Sequence, residues 1–413
     1  MPPVFTGIPP DHAIYTKFVY IVYNARAFVR LVLGMQNPFC PGGVVDPVYF
    51  CGRQAEIALF KRSLQGAKCG RPQHLAVLGA RGIGKTSMMR YLAHIAARER
   101  CLVIRVELDP AVGSLDELCQ VLLRELARGG LAYSLLERTA SKLRGIFSEY
   151  HVTVSAAGVV ASAGKNSEAA SRYDFRDRLL ALWQRTKNRI PAIVILIDEA
   201  EQLEKIPGAL QFLRNTFSRL SEEKCGYLLV LCWKLNLYSN ISELYSPLAR
   251  FFKPLALSSL SSEDSVQVVK KPLEAARRRI SKVALDRCYA DSLGHPYMLQ
   301  AIGFELFESG TEISEKIYEA IRPLVLRDLE TKLFSEMFNA ASPQEKEILL
   351  VLSERGKPES TTTVANAISK PRSSVSTLLS RLTDSGCVIR LERGTYVPFH
   401  PLFSEFIRKN KAK

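Results

Sequence analysis

One segment constrains this chain more than any other: "LAVLGARGIGKTSMMRYLAHIAA", Leu75–Ala97. An apolar run ends in a glycine-rich turn. The turn opens into residues that are apolar at helical spacing, namely Met88, Met89, Leu92 and Ile95. The turn itself is Gly79, Ala80, Arg81, Gly82, Ile83, Gly84, Lys85 and Thr86, and it fits G-x-x-x-x-G-K-[ST] without a mismatch. The glycines let backbone N–H groups converge on phosphate, and the helix N-terminus adds partial positive charge. The pattern predicts a buried strand over His74–Leu78 and a helix running from Ser87, with Gly79–Ser87 around the phosphates of a nucleotide. Lys85 is expected to reach the β and γ phosphates, and Thr86 to ligate Mg²⁺.

A second segment has the complementary chemistry. In "AIVILIDEAEQL" five apolar residues, Ile193–Ile197, deliver Asp198 and Glu199 to the carboxyl end of a strand. Asp198 is expected to hold Mg²⁺ and Glu199 to act as general base on the attacking water. Acidic residues also suit a plain helix start. The upstream phosphate loop favours catalysis. Tyr227–Cys232 reads as a further strand whose tip lacks Ser, Thr or Asn, so Lys234 or Asn236 would have to sense the terminal phosphate. Arg250, in "YSPLARFFKPLAL", precedes a last core strand over Pro254–Leu257. It is read as a catalytic arginine acting in cis or from a neighbouring copy, or else as a surface ion-pair residue.

The net charge of +15 over 413 residues suggests an anionic partner or a generally basic background. Nine cysteines without a C-x-x-C pair and six dispersed histidines argue against a disulfide framework or zinc site. They point to a reducing cytoplasmic setting. No run is long and apolar enough for a transmembrane segment. Ile14–Leu33 comes closest, but Lys17, Arg26 and Arg30 interrupt it, and it reads as an amphipathic helix. Met35 offers an alternative start. Small-residue-rich His151–Arg172 suits a hairpin or an insertion.

The remainder divides in two. Ser261–Gly310 reads as helical, with Ser262 as an N-cap, a basic cluster at Arg277–Arg279, and Gly294-His295-Pro296 before an apolar helix. These helices are expected to form a lid over the nucleotide. From residue 331 on, Ser342-Pro-Gln-Glu345 is a capping box. Two further helices and the alternating "CVIRLERGTYVPF" follow. Three helices and a hairpin predict a winged helix-turn-helix. The third helix has a core face of Val375, Leu378, Leu379 and Leu382. Its opposite face, Arg372, Ser373, Ser376, Thr377, Ser380 and Arg381, suits phosphates and base edges of double-stranded DNA, and Arg390 and Arg393 would charge the wing. The segment has 13 basic and 8 acidic residues. Docking to a protein partner is the competing use.

Taken in order, these parts resemble P-loop ATPases of the AAA+/STAND borderland, in particular the archaeal-ATPase type with a C-terminal winged helix. "GARGIGKTS", "VILIDEAEQL", "LARFF", "GHPYMLQ" and the closing helix-turn-helix carry the resemblance. It implies an α/β fold: a P-loop NTPase core with a parallel sheet over 37–258, a helical lid over 259–330 and a winged helix over 331–413, after an extension at 1–36. His295 and Pro296 would then lie near the nucleotide. The resemblance implies a nucleotide-dependent homo-oligomer and an ATP-driven switch coupled to DNA. The alternative is a STAND-type signalling ATPase whose winged helix is an internal clamp. Archaeal replication initiators share the plan but usually carry an arginine in the lid helix that corresponds to Tyr297–Ser309, which has none.

Overall fold

The structure is a computed structural model and describes residues 36–136, 150–155, 158–163, 172–234, 246–392 and 394–411. The expected helix at Ile14–Leu33, the candidate sensor Asn236 and the wing residue Arg393 lie outside these.

Five strands build the central sheet: β1 (His74–Leu78), β2 (Leu102–Glu107), β5 (Ile193–Asp198), β6 (Tyr227–Trp233) and β7 (Phe252–Ala256). Their order is β2-β5-β6-β1-β7 and every pairing is parallel. Alternation of side chains splits each strand between two cores. Ile193, Ile195 and Ile197 face one cluster, and Val194 and Leu196 the other. On the first face lie α3 (Leu115–Leu136), α4 (Arg172–Thr186) and α5 (Ala209–Glu222); α1 (Gln54–Lys68) and α2 (Lys85–Arg98) cover the second. The near-continuous apolar strands follow from burial on both faces. The hairpin expected within His151–Arg172 exists as the antiparallel pair β3 (Tyr150–Ser155) and β4 (Gly158–Ala163). Helix α6 (Ser246–Phe251) leads into β7.

The lid comprises α7 (Ser262–Ala275), α8 (Lys282–Ser292), α9 (Pro296–Ser309) and α10 (Glu315–Leu329). The N-cap of α7 is Ser261, not Ser262: its Oγ accepts the Asp264 N–H at 3.1 Å, the geometry of a cap three residues before its donor. Arg278 lies over the Phe307 ring at 3.8 Å, so that part of the basic cluster is structural. A short two-stranded pair, β8 (Arg279–Ile280) and β9 (Glu312–Ile313), ties α7 to the turn before α10.

A π-helical turn at Glu330–Phe334 and α11 (Ser335–Ala340) lead to α12 (Pro343–Arg355). The Ser342–Glu345 capping box of α12 is present. There follow β10 (Glu359–Ser360), α13 (Thr361–Ala367), α14 (Arg372–Asp384), β11 (Val388–Glu392), β12 (Thr395–Pro398) and α15 (Pro401–Lys411). The strands form a sheet in the order β10-β12-β11. Val375, Leu378, Leu379 and Leu382 are buried, as their spacing requires. One apolar cluster runs from Leu260 through the lid into Phe403 and Ile407, and Phe39 joins it. Asn37 donates to the Phe304 carbonyl and the Cys40 N–H to Gln300, whereas the Val45 N–H donates to Ser87 Oγ. The loop before α1 thus binds the lid at one end and the core at the other.

Candidate nucleotide-binding site

Parallel strands deliver their carboxyl ends to one edge, so Gly79, Glu199 and Lys234 all leave the sheet on the same side. The crevice beside β1 is where ligands bind in such sheets. There a cavity of about 1020 Å³ is lined by Arg81, Lys85, Thr86, Asp198 and Glu199 among others.

The loop has the curvature its glycines permit: Gly82 and Gly84 take φ of 74° and 90°. Lys85 Nζ donates to the Gly79 and Ala80 carbonyls at 3.1 Å. Ile83 is buried, and its carbonyl accepts from Arg53. Ser87 is buried and receives the Val45 N–H, so its hydroxyl anchors the approach loop. Glu199 has φ 53°, unusual for a residue with a side chain. Its N–H donates to Asp198 Oδ1 at 3.0 Å. The buried Cys232 thiol hydrogen-bonds Asp198, and burial followed by that neighbour pushes the thiol up. Lys234 pairs with Glu201 at 3.1 Å. Burial, then Glu201 and Asp198, raise the Glu199 carboxyl above its ordinary range, against Lys234. Thr86 and Asp198 offer hard oxygen donors within one cavity, a set that fits Mg²⁺.

Two expected residues sit elsewhere. His295 does not line the cavity. It packs behind the loop, where a Cβ on Gly82 would meet its ring at 3.0 Å, and it touches Phe399. Burial and His400 hold it down at about 4. Pro296 does line the cavity. Arg250 cannot act in cis: it precedes Phe252, which pairs with His74 at the amino edge of the sheet. Five residues at about 3.3 Å each separate that edge from the loop. Arg372, Ser373, Ser376, Thr377, Ser380 and Arg390 are exposed. Arg381 is also exposed, but it lines the nucleotide cavity.

Sequence reasoning missed the approach loop and the far side. Val44, Val45, Tyr49 and Phe50 line the cavity, with Phe50 stacked on Tyr91 at 4.4 Å. Tyr297, Gln300, Lys332, Glu336 and Asp384 close it opposite. The turn after α14 touches the loop: a Cβ on Gly386 would lie 3.2 Å from Ala80 Cβ. Arg81 and Glu336 pair at 2.5 Å.

Residues 49–231 match the family model of the AAA ATPase domain. This segment resembles an AAA ATPase domain. The phosphate loop, the Asp198-Glu199 pair and strands β1, β2 and β5 lie within the matched residues, and β7 lies beyond them. Residues 331–407 match a domain of unknown function, DUF8462. The chain is 22% identical over 381 residues to an uncharacterized HTH-type transcriptional regulator of Methanocaldococcus jannaschii, covering 87% of this chain and 89% of that protein. Its fold resembles the Walker-type ATPase paby2304 of Pyrococcus abyssi, with a TM-score of 0.60 at 17% identity, over 87% of this chain and 96% of the other. Among the described residues no helix is long and apolar enough to cross a membrane.

Proposed function

We propose that the protein is an ATP-driven switch that binds and hydrolyses ATP between the AAA domain and the lid and couples nucleotide state to duplex DNA. The observation that carries this is one cavity lined by Lys85, Thr86, Asp198 and Glu199. In this reading the loop N–H groups and Lys85 hold the phosphates. Glu199 takes the proton of the attacking water. Cys232 fixes the orientation of Asp198. Mg²⁺, held by Thr86 and Asp198, would neutralise charge on the β and γ phosphates. Arg250, at the far edge of the sheet, serves a neighbouring copy, so the active form is a homo-oligomer and turnover is slow in isolation.

The segment 331–413 is read as a winged helix-turn-helix whose α14 enters the major groove. Arg372, Ser373, Ser376, Thr377, Ser380 and Arg390 make the contacts. The HTH-type relative supports this reading. The docking of Gly386 on Ala80 and of Glu336 on Arg81 favours a second one, in which the module is an internal clamp of a STAND-type switch that meets a protein partner.

The test measures ATP turnover and duplex binding in one preparation. Glu199→Gln should retain ATP and lose roughly 100-fold or more in turnover. Duplex affinity should differ between ADP and a non-hydrolysable triphosphate. Duplex binding indifferent to nucleotide and salt would reject DNA and favour the clamp.

A further inference from the structure

Six cations line the nucleotide cavity: Arg53, Arg81, Lys85, Lys234, Lys332 and Arg381. Five are engaged. Arg53 pairs with Glu56 and donates to the Ile83 carbonyl. Arg81 pairs with Glu336, Lys234 with Glu201 and Lys332 with Asp328. Lys85 donates to its own loop. Of these six, Arg381 alone has no hydrogen-bond or ion-pair partner among the described residues. Asp384, one turn on, lines the same cavity without pairing with it.

The backbone brings Arg381 to the outer lip of the loop. The Gly386 position where a Cβ would stand is 3.2 Å from Ala80 Cβ and 3.8 Å from the Arg81 N. Arg381 lies five residues earlier, about 7 Å up α14 at 1.5 Å per residue, a span that an extended arginine side chain crosses. The lid offers no rival. Helix α9 contributes Pro296, Tyr297 and Gln300 to the cavity and contains no Lys or Arg. Arg250 is at the opposite edge of the sheet.

We propose that Arg381 binds the terminal phosphate of a nucleoside triphosphate, supplying from the C-terminal module the arginine that the lid lacks. This rests on the phosphate-loop reading above. The planar fork of an arginine matches phosphate oxygens and stays charged at every working pH. A triphosphate then joins the carboxyl end of α14 to the loop, and a diphosphate leaves that end against the loop through the Gly386–Ala80 contact, with the Arg81–Glu336 pair tying α11 beside it. The rest of the α14 face, from Arg372 to Ser380, stays exposed. One helix thus reads nucleotide at its carboxyl end and presents its polar face elsewhere, and Arg381 leaves the set of DNA contacts.

The test uses the full chain and two fluorescent nucleotides, a non-hydrolysable ATP analogue and ADP. Wild type, Arg381→Ala, Arg381→Lys, Lys85→Ala and the exposed, remote Lys357→Ala are compared by equilibrium titration, with a thermal melt without nucleotide to establish folding. Arg381→Ala should weaken the triphosphate about tenfold or more and ADP less than about twofold. Arg381→Lys should fall between, and Lys357→Ala should change neither. An unchanged triphosphate affinity in Arg381→Ala, or an equal loss for both nucleotides, overturns the proposal while leaving the loop reading intact. Wild-type protein that binds neither nucleotide, or Lys85→Ala that binds as wild type does, rejects the loop reading and this proposal with it.

Discussion

Lys234 Nζ lies 3.1 Å from Glu201 Oε1, and Glu201 is the carboxylate that faces Glu199. The three form a chain at one edge of the cavity. Burial raises the Glu199 carboxyl most, Glu201 and Asp198 raise it further, and Lys234 opposes them.

A general base must be deprotonated to work, so turnover should fall as pH drops through the raised pKa of Glu199. Glu201→Gln removes the like charge, and the acid limb of kcat should move to lower pH. Lys234→Met removes the opposing cation, and the limb should move to higher pH. The profile is measured under saturating ATP. If neither variant moves the limb, Glu199 is not the base.

Stability should fall on mild acidification. His295 and His400 are each held down at about 4, and His74 at about 3, chiefly by burial. Their ordinary value is 6.5. The unfolded chain therefore binds protons below that value which the folded chain refuses. The loss begins as pH drops below 6.5 and is complete once it passes the folded values. For His295 and His400 it is on the order of 3 kcal/mol each. Thermal melts across that window measure it, and a flat midpoint would mean these rings are not buried neutral.

Gly294, in the turn between α8 and α9, has φ 75°, and a Cβ there would run into the Leu260 carbonyl oxygen. Gly294→Ala should cost about 2 kcal/mol or more, since backbone cannot yield as a side-chain tip can. Gly356 has φ 64° and open space around it, so Gly356→Ala isolates the conformational part, about 1 kcal/mol. Equal shifts in melting midpoint for the two would remove the steric argument.

Arg372 is exposed at the start of α14. If that helix meets duplex, Arg372→Glu should weaken binding and flatten its dependence on salt, because a released counterion is lost with each phosphate contact. An unaltered slope in an anisotropy titration would show that the duplex does not meet this helix.

The fold was legible wherever one period governs a segment. Ile193–Asp198 is apolar throughout because it is buried on both sides, and the phosphate loop names its own strand and helix. The cap of α7 was misplaced by one residue because Ser261 and Ser262 are chemically alike, and only the donor geometry separates them. The sequence leaves Arg250 open between action in cis, action from a neighbouring copy and a surface ion pair, because it does not show which strand of the sheet β7 pairs with; the pairing of β7 with β1 puts Arg250 at the edge away from the loop. Arg381, with Glu336 and Gly386, carries no motif for a nucleotide. These residues reach the loop from about 250 to 300 positions away, and that encounter is a property of packing.

The lid and C-terminal segment share one core, and that body is joined to the sheet domain at two places, the first covalent and the second through hydrogen bonds. One is the strand exit at Leu257–Ser261. The other is the loop that leaves the lid at Cys40 and reaches the domain at Val45. A body tethered at one point can pivot in any direction. Tethered at two, it can turn only about the line between them. In the proposed switch, the cavity would open about that line for as long as the Cys40–Val45 loop keeps both contacts, and α14, carried by the body, would swing along the same arc.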